Sequence, residues 1–515
     1  MRRALGTCCA RACRPCRLSD IVRRTTSLGQ LGGAIDAPRP GVFHWRVEER
    51  SDAIRHHCGV MGISSAGDAN IPELLFYGLF SLQHRGQESA GIAYHRHGRI
   101  VSYRDVGMVA NALSHYLEES HPSRVGIGHV RYSTHGTNKL ENAQPIVVSC
   151  NKGEISLAHN GNISNSDELT RGLIDGGSIF QSTTDTELLL HLIARSPRPD
   201  FHEALAECLG FVEGAYCFLM LHGGTLVAVR DPHGFRPLVI GRRNGMVMVA
   251  SETCALGLFQ PEEIREVEPG EILEIRGAEV RSERLPARPG APVRRAHCIF
   301  ELIYFARPDS EVFGHSVHLV RKAMGARIAR DDPSPGDLVI AVPDSGNSAA
   351  LGYATASGVE LELGLTRNHY MGRTFIQPTP ALREMGVRMK LHPVRRAIEG
   401  RRVTVIDDSL VRGTTSRQMV RLLREAGARE VHLRLSSPPL RYPCFFGIDI
   451  PTREELIANR LDPEGIAREI GADSVRFLSL EGLKSCVDRP GDYCCACFSG
   501  DYPCPVKDPP LHRKC

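Results

Sequence analysis

The stretch Arg402-Val403-Thr404-Val405-Ile406-Asp407-Asp408-Ser409-Leu410-Val411-Arg412-Gly413-Thr414-Thr415-Ser416 decides how the second half of this chain folds. An apolar strand runs into two acids, and a short polar loop follows. A helix is then predicted over 416–426, with Met419, Val420, Leu422 and Leu423 on its apolar face and Gly427 just past its end. The apolar runs 337–343 and 430–437 and a helical window at 318–330 repeat the alternation, so a parallel α/β sheet is expected over 291–485. Ligands of such sheets sit at the carboxyl ends of the strands, where this loop lies. Its backbone N–H groups, its hydroxyls and the helix N-terminus suit a phosphate monoester. Asp407 and Asp408 would repel a phosphate but suit ribose hydroxyls or a hydrated Mg²⁺. The pattern points to a phosphorylated ribose. The plainer reading is an ordinary strand–turn–helix whose polar residues only cap the helix, and the length of the full pattern disfavours it.

Upstream the pattern differs. From Cys58 to about residue 290 the chain reads as short strands between glycine turns, such as 58–64, 90–96, 126–132, 155–161, 215–221, 225–231, 246–252 and 271–277. Helical stretches such as 201–209 interrupt them, which predicts an α+β domain of packed sheets with flanking helices. Residues 285–295 hold three prolines and read as a linker. The segment 486–515 is rich in Cys, Pro and Asp, lacks periodicity, and needs something other than a core to order it.

Composition limits the function classes. At 515 residues, 42% hydrophobic and 24% charged, the chain is a folded protein of several domains. It has no run of eighteen apolar residues, so a membrane span is not expected. Residues 1–57 carry eleven arginines against five acids. The formal charge of +4 therefore leaves −2 for the remainder, and nucleic-acid binding loses its main electrostatic argument. The Arg-rich segment 1–57 fits a transit peptide, a propeptide or a start placed too far upstream. It reads as neither helix nor signal, which favours the last two. Seventeen cysteines without a secretory signal suggest metal or chemistry rather than disulfides.

Cys58-Gly59-Val60 is followed by Gln83–Gly91, Gly128–Thr134, Ala158–Asn162 and Ser182–Glu187. These blocks, in this order, resemble the class II glutamine amidotransferases, whose nucleophile is a mature N-terminal cysteine. The chemistry gives a reason for cleavage before Cys58: a free α-amine with a pKa near ~8 can take the thiol proton, whereas an amide nitrogen cannot. The resemblance implies an N-terminal-nucleophile (Ntn) glutaminase sandwich over 58–290. In it Asn160 and Gly161 would form an oxyanion hole, Arg131 would bind the glutamine carboxylate and Asp185 its ammonium group, and Arg85 and Thr134 would shape the site. The loop at 407–416 resembles the ribose-phosphate loop of type I phosphoribosyltransferases. That implies contacts to phosphoribosyl pyrophosphate (PRPP) from Asp407, Asp408, Ser409, Arg412, Gly413, Thr414, Thr415 and Ser416. Ser345 would join the two acids at one Mg²⁺ per subunit, and Arg373 and Gln377 would belong to a lid over PRPP.

Four further thiols, Cys298, Cys444, Cys494 and Cys497, could hold a zinc or a [4Fe–4S] cluster. Read together with both halves, the chain resembles the iron–sulfur, propeptide-bearing branch of the PRPP amidotransferase family. That implies one [4Fe–4S] cluster per subunit on these four cysteines, with Cys495 a rival for Cys494. It further implies glutamine and PRPP as substrates, a homotetramer, inhibition by purine nucleotides, and a cytoplasmic location, or a plastid one if residues 1–57 are a transit peptide. Two other readings share only part of the pattern. A hexosamine-phosphate synthase would have no use for Asp407-Asp408. A PRPP-sensing regulator would not need Cys58, Arg131 and Asp185 together.

Overall fold

The computed structural model describes residues 58–117, 119–132, 139–286, 294–333, 335–368 and 391–506. Residues 1–57, Thr134, Arg373, Gln377 and most of the expected linker lie outside that set.

The first part is two antiparallel sheets lying face to face. One has seven strands, in spatial order Glu263–Glu266, Val239–Arg243, Met246–Ala250, Gly59–Ala69, Ser123–Arg131, Ser89–Arg96 and Arg99–Val106. The other has six: Glu279–Arg284, Glu271–Arg276, Thr225–Arg230, Gly214–His222, Gly153–Ile163 and Ile146–Cys150.

Why the layers form is visible in a single strand. Along Gly214–His222, Cys217, Leu219 and Leu221 enter the core between the sheets, while Tyr216, Phe218 and Met220 enter a second core on the outer face. A strand apolar on both faces must be covered on both. Helices Thr186–Arg195 and Phe201–Leu209 cover that outer face. Helix Ile71–Ser81 covers the outer face of the seven-stranded sheet through Ile71, Leu75 and Leu79. The result is an αββα sandwich, the layered form expected from the strand-rich sequence.

The second part is a parallel sheet ordered Leu338–Ala341, Arg402–Asp407, Glu430–Leu435 and Ser474–Phe477. Helices Val317–Asp331 and Asn347–Ser357 pack on one face, and Thr414–Glu425 and Pro463–Ile470 on the other. The helix predicted from residue 416 begins two residues earlier, at Thr414. Gly413 stops the strand-to-helix loop at φ +86°, a left-handed conformation that glycine adopts without strain, and the helix starts immediately after it. The aperiodic tail is ordered by a two-residue parallel bridge, His297–Cys298 against Tyr493–Cys494, and by a short helix Ala496–Ser499 that buries Cys497 and Phe498. Among the described residues no helix is long and apolar enough to cross a membrane.

Candidate active site

Cys58 lies at the open end of strand Gly59–Ala69, whose neighbour Ser123–Arg131 brings Arg131 alongside. The Cys58 thiol donates to the Tyr132 carbonyl at 3.5 Å. Burial pushes the thiol pKa up. The Tyr132 contact and the Arg131 charge pull it down, while Asp185 and Glu88 push it further up. Cys58, Arg131 and Asp185 therefore share one electrostatic neighbourhood, as the sequence implied. Asp185 is fixed there: its Oδ2 accepts from the Ile163 N–H at 2.8 Å, and its Oδ1 lies 3.5 Å from His159 Nδ1.

Asn160 and Gly161 sit mid-strand in the facing sheet. Gly161 has φ +152°, and a Cβ there would stand 2.0 Å from the Ala215 carbonyl oxygen, so only glycine fits. Asn160 is fully buried, with its Nδ2 3.4 Å from Ser251 Oγ and its Oδ1 without a partner. Ser251 Oγ already accepts from the Val60 N–H at 3.0 Å and has one proton to give. Turning the Asn160 amide by half a turn gives that proton an acceptor and frees Nδ2 to donate elsewhere. Ser251 thus ties the strand that follows Cys58 to the strand that carries Asn160 and Gly161. Its place at the end of a plain apolar strand gave the sequence no signal for that role.

Arg85 is fully engaged by protein groups. Its Nε donates to the Cys58 carbonyl at 3.1 Å, its Nη1 to Glu252 at 2.5 Å, and its two Nη atoms to Glu301 at 3.0 and 2.8 Å. Both acids are 0% exposed, and together they hold the guanidinium pKa well above its ordinary value despite burial. This geometry makes Arg85 a positioning residue for Cys58. Its partners Glu252 and Glu301 were legible only as acids inside apolar segments.

At the second site, strand Arg402–Asp407 delivers Asp407 and Asp408 to the carboxyl edge of the parallel sheet. Asp407 Oδ1 accepts from Ser345 Oγ at 3.3 Å and from the Asp408 N–H at 2.9 Å, and Asp408 Oδ2 accepts from Ser409 Oγ at 2.5 Å. Burial raises both carboxyl pKa values, and for Asp407 the Asp408 charge raises it further. Two buried acids side by side favour a cation between them. Thr414 and Thr415 are exposed on the first turn of the helix. Ser416 is instead buried on the helix's core side, and Arg412 reaches Glu455 at 2.6 Å.

The four cysteines pack in adjoining parts of the structure. Cys298 stands opposite Cys494 in the parallel bridge, and Cys497 follows on the short helix. Cys444 Sγ accepts from the Phe446 N–H at 3.4 Å. Burial pushes the Cys298 thiol up to about 12. Cys494 and Cys497 lie well above the thiol range, through burial first and then through the charges of neighbouring cysteines, Cys495 among them. Arg236, fully buried, pulls the Cys298 and Cys444 values down. Cys495 is pushed up to about 11 by burial, with Lys484 and Asp501 as its charged neighbours, and its own charge acts on Cys494 and Cys497. Among the described residues no three His, Cys, Asp or Glu side chains meet at single-ion distance.

Comparison with known proteins agrees with both halves. The glutamine amidotransferase domain family matches residues 129–257. The chain is 46% identical over 456 residues to the amidophosphoribosyltransferase of Bacillus subtilis, covering 87% of this chain and 94% of that one. To amidophosphoribosyltransferase 1, chloroplastic, of Arabidopsis thaliana it is 47% identical over 464 residues, covering 90% and 81%. The solved B. subtilis glutamine PRPP amidotransferase complexed with ADP and GMP matches with a TM-score of 0.81 at 46% identity, over 88% of this chain and 98% of that one. A structure described as the allosteric regulatory enzyme of purine biosynthesis matches with a TM-score of 0.82, also at 46% identity and over 88% and 97%. With near-half identity across almost nine-tenths of its length, this chain belongs to the amidophosphoribosyltransferase family, the glutamine-dependent pentosyltransferases of purine biosynthesis.

Proposed function

We propose that this chain moves the amide nitrogen of glutamine onto PRPP, giving 5-phosphoribosylamine, glutamate and pyrophosphate. The observation that carries the reading is Glu301. It lies in the segment leading into the parallel sheet, yet it clamps the arginine that holds Cys58, so the second part of the chain contributes a buried residue to the Cys58 site.

Removal of residues 1–57 frees the Cys58 α-amine to take the thiol proton. The Cys58 sulfur bonds to the amide carbon of glutamine, whose carboxylate meets Arg131 and whose ammonium group meets Asp185. The oxyanion is met by Asn160 Nδ2 and the Gly161 N–H, donors of a kind worth about 3–4 kcal/mol each. The carbon–nitrogen bond breaks, ammonia leaves with the proton, and water then releases glutamate from the thioester. Ammonium has no lone pair, so the ammonia must travel through a closed passage, with the segment holding Arg373 and Gln377 as its lid. At the second site the Asp407 and Asp408 carboxylates hold the ribose hydroxyls, and the N–H groups after Gly413 hold the 5′-phosphate. Ammonia bonds to C1 as the C1–pyrophosphate bond breaks. One Mg²⁺ per subunit, suited by the oxygen donors of Ser345, Asp407 and Asp408, would supply charge neutralisation of the leaving group.

Cys298, Cys444, Cys494 and Cys497 fit one [4Fe–4S] group per subunit. Each iron takes one thiolate, so the donors need to share a neighbourhood without converging on a point. Its contribution is structural: it would tie the tail to the body of the protein. Purine nucleotides as inhibitors and a homotetramer complete the reading. The location is cytoplasmic, or a plastid if residues 1–57 are a transit peptide, as the chloroplastic relatives suggest.

The test is glutamate and pyrophosphate release by anaerobically purified protein, with and without PRPP and Mg²⁺. Near-equal amounts appearing together only when PRPP is present are expected. Glutamate formed regardless of PRPP, with no pyrophosphate, would leave only the glutaminase half standing.

A further inference from the structure

Residues Cys444 to Gly447 join the cysteine set to the oxyanion strand. The Phe446 N–H donates to Cys444 Sγ, and the Phe446 carbonyl accepts from Arg236 Nη2 at 2.6 Å. The Phe445 carbonyl accepts from Asn162 Nδ2 at 2.9 Å, one residue beyond Gly161. Gly447, at φ +96°, packs directly on Gly161. A Cβ at 447 would stand 3.1 Å from the Gly161 carbonyl carbon, 3.2 Å from its oxygen and 3.4 Å from Arg236 Nη2. Gly161 is closed in from another direction by the Ala215 carbonyl. Its N–H therefore points where these two walls allow.

The same loop supports the nucleophile. Arg236 Nη1 donates to Glu301 Oε1 at 3.2 Å, and Glu301 in turn holds Arg85 beneath the Cys58 carbonyl. Phe446 is also stacked on Phe235 with ring centroids 4.2 Å apart, which gives the loop an apolar footing.

We propose that the Cys444–Gly447 loop, anchored at Cys444, is a brace that sets the position of the Gly161 N–H, with Gly447 and Asn162 as positioning residues for glutamine hydrolysis. The inference rests on the glutaminase and iron–sulfur reading above and extends it. The cysteine group acts on the rate of the glutamine reaction through geometry, without transferring electrons. An oxyanion donor stabilises the transition state and not bound glutamine, so a displaced Gly161 lowers kcat and spares KM.

The experiment compares wild type, Asn162→Ala and Gly447→Ala, all as full-length protein purified anaerobically. Four quantities are read: iron and sulfide per chain, kcat for glutamate release, KM for glutamine, and the rate of Cys58 alkylation by iodoacetamide, which needs no oxyanion donor. In both variants kcat is expected to fall roughly 10-fold or more with KM within about two-fold of wild type, and iron content and alkylation unchanged. Wild-type kcat in both variants would overturn the brace, as would a fall in kcat matched by an equal fall in alkylation. Should Gly447→Ala fail to fold, Asn162→Ala decides, because it removes one hydrogen bond at a half-buried position. A wild-type protein that binds iron and hydrolyses glutamine keeps the underlying reading intact whichever way the variants fall. One that does neither overturns that reading instead.

Discussion

Single side chains set the chemistry here through what surrounds them. His129 is fully buried in the nucleophile sheet, its Nε2 on the His159 carbonyl at 3.0 Å and its Nδ1 without a partner, and burial lowers its pKa to about 3. An unfolded histidine titrates near ~6.5, so unfolding takes up a proton at any pH between those values. The stability this neutral ring allows is whole above that upper value and is lost as pH falls. By pH ~5 the loss is about 2 kcal/mol. His129→Gln keeps the Nε2-like donor without the titration. It should show a smaller drop in thermal midpoint between pH ~7 and ~5 than wild type, and an equal drop would show that other groups dominate. Residue roles were unevenly legible in the sequence. Cys58, Asp407 and Asp408 stand inside long motifs. Glu252, Glu301, Arg236 and Ser251 have no local pattern, because each acts by meeting a partner far along the chain, 216 positions away for Glu301 and Arg85.

Among the elements, the strand–loop–helix at 402–425 reads most directly from sequence, since an apolar run, a glycine at the cap and an amphipathic helix each follow from local preferences. Its helix nevertheless starts at Thr414. The sequence placed Ser416 at the mouth of the loop, whereas the apolar face carries it into the core. Gly413 makes the difference. Gly413→Ala would force a left-handed alanine, costing about 1–2 kcal/mol, and would bring its Cβ to 2.9 Å from Ile457 Cδ1. The loop must then shift away from the phosphate position. KM for PRPP should rise about 10-fold while glutamine KM stays put, in a titration of each substrate against glutamate release. An unchanged PRPP KM would remove the loop from phosphate binding. The sandwich strands were legible as strands, but their order in two sheets was not. Alternation says which residues share a face and leaves open which strand lies beside which.

Across the whole molecule, the boundary before Cys58 is the point where sequence and chemistry make a measurable joint statement. Trp45 is the only tryptophan and precedes that boundary, so the matured enzyme should carry none. Intact mass and absorbance of the purified active protein check this, and an active species still containing Trp45 would rule out a free Cys58 amine. The two halves and the cysteine set could be listed from sequence, but their mutual support could not. The link through Glu301 and the loop at 444–447 depends on contacts between segments hundreds of residues apart. The two-residue bridge between His297–Cys298 and Tyr493–Cys494 also imposes an order of events on synthesis. Cys494 and Cys497 leave the ribosome about 200 residues after Cys298, a delay of roughly 10–40 s at 5–20 residues per second. Throughout that interval the first 290 residues are already made, while the brace proposed for Gly161 would still lack its anchor. On that proposal a nascent chain would hydrolyse glutamine slowly until Cys494 and Cys497 emerge, by which point Asp407 and Asp408 have already been made.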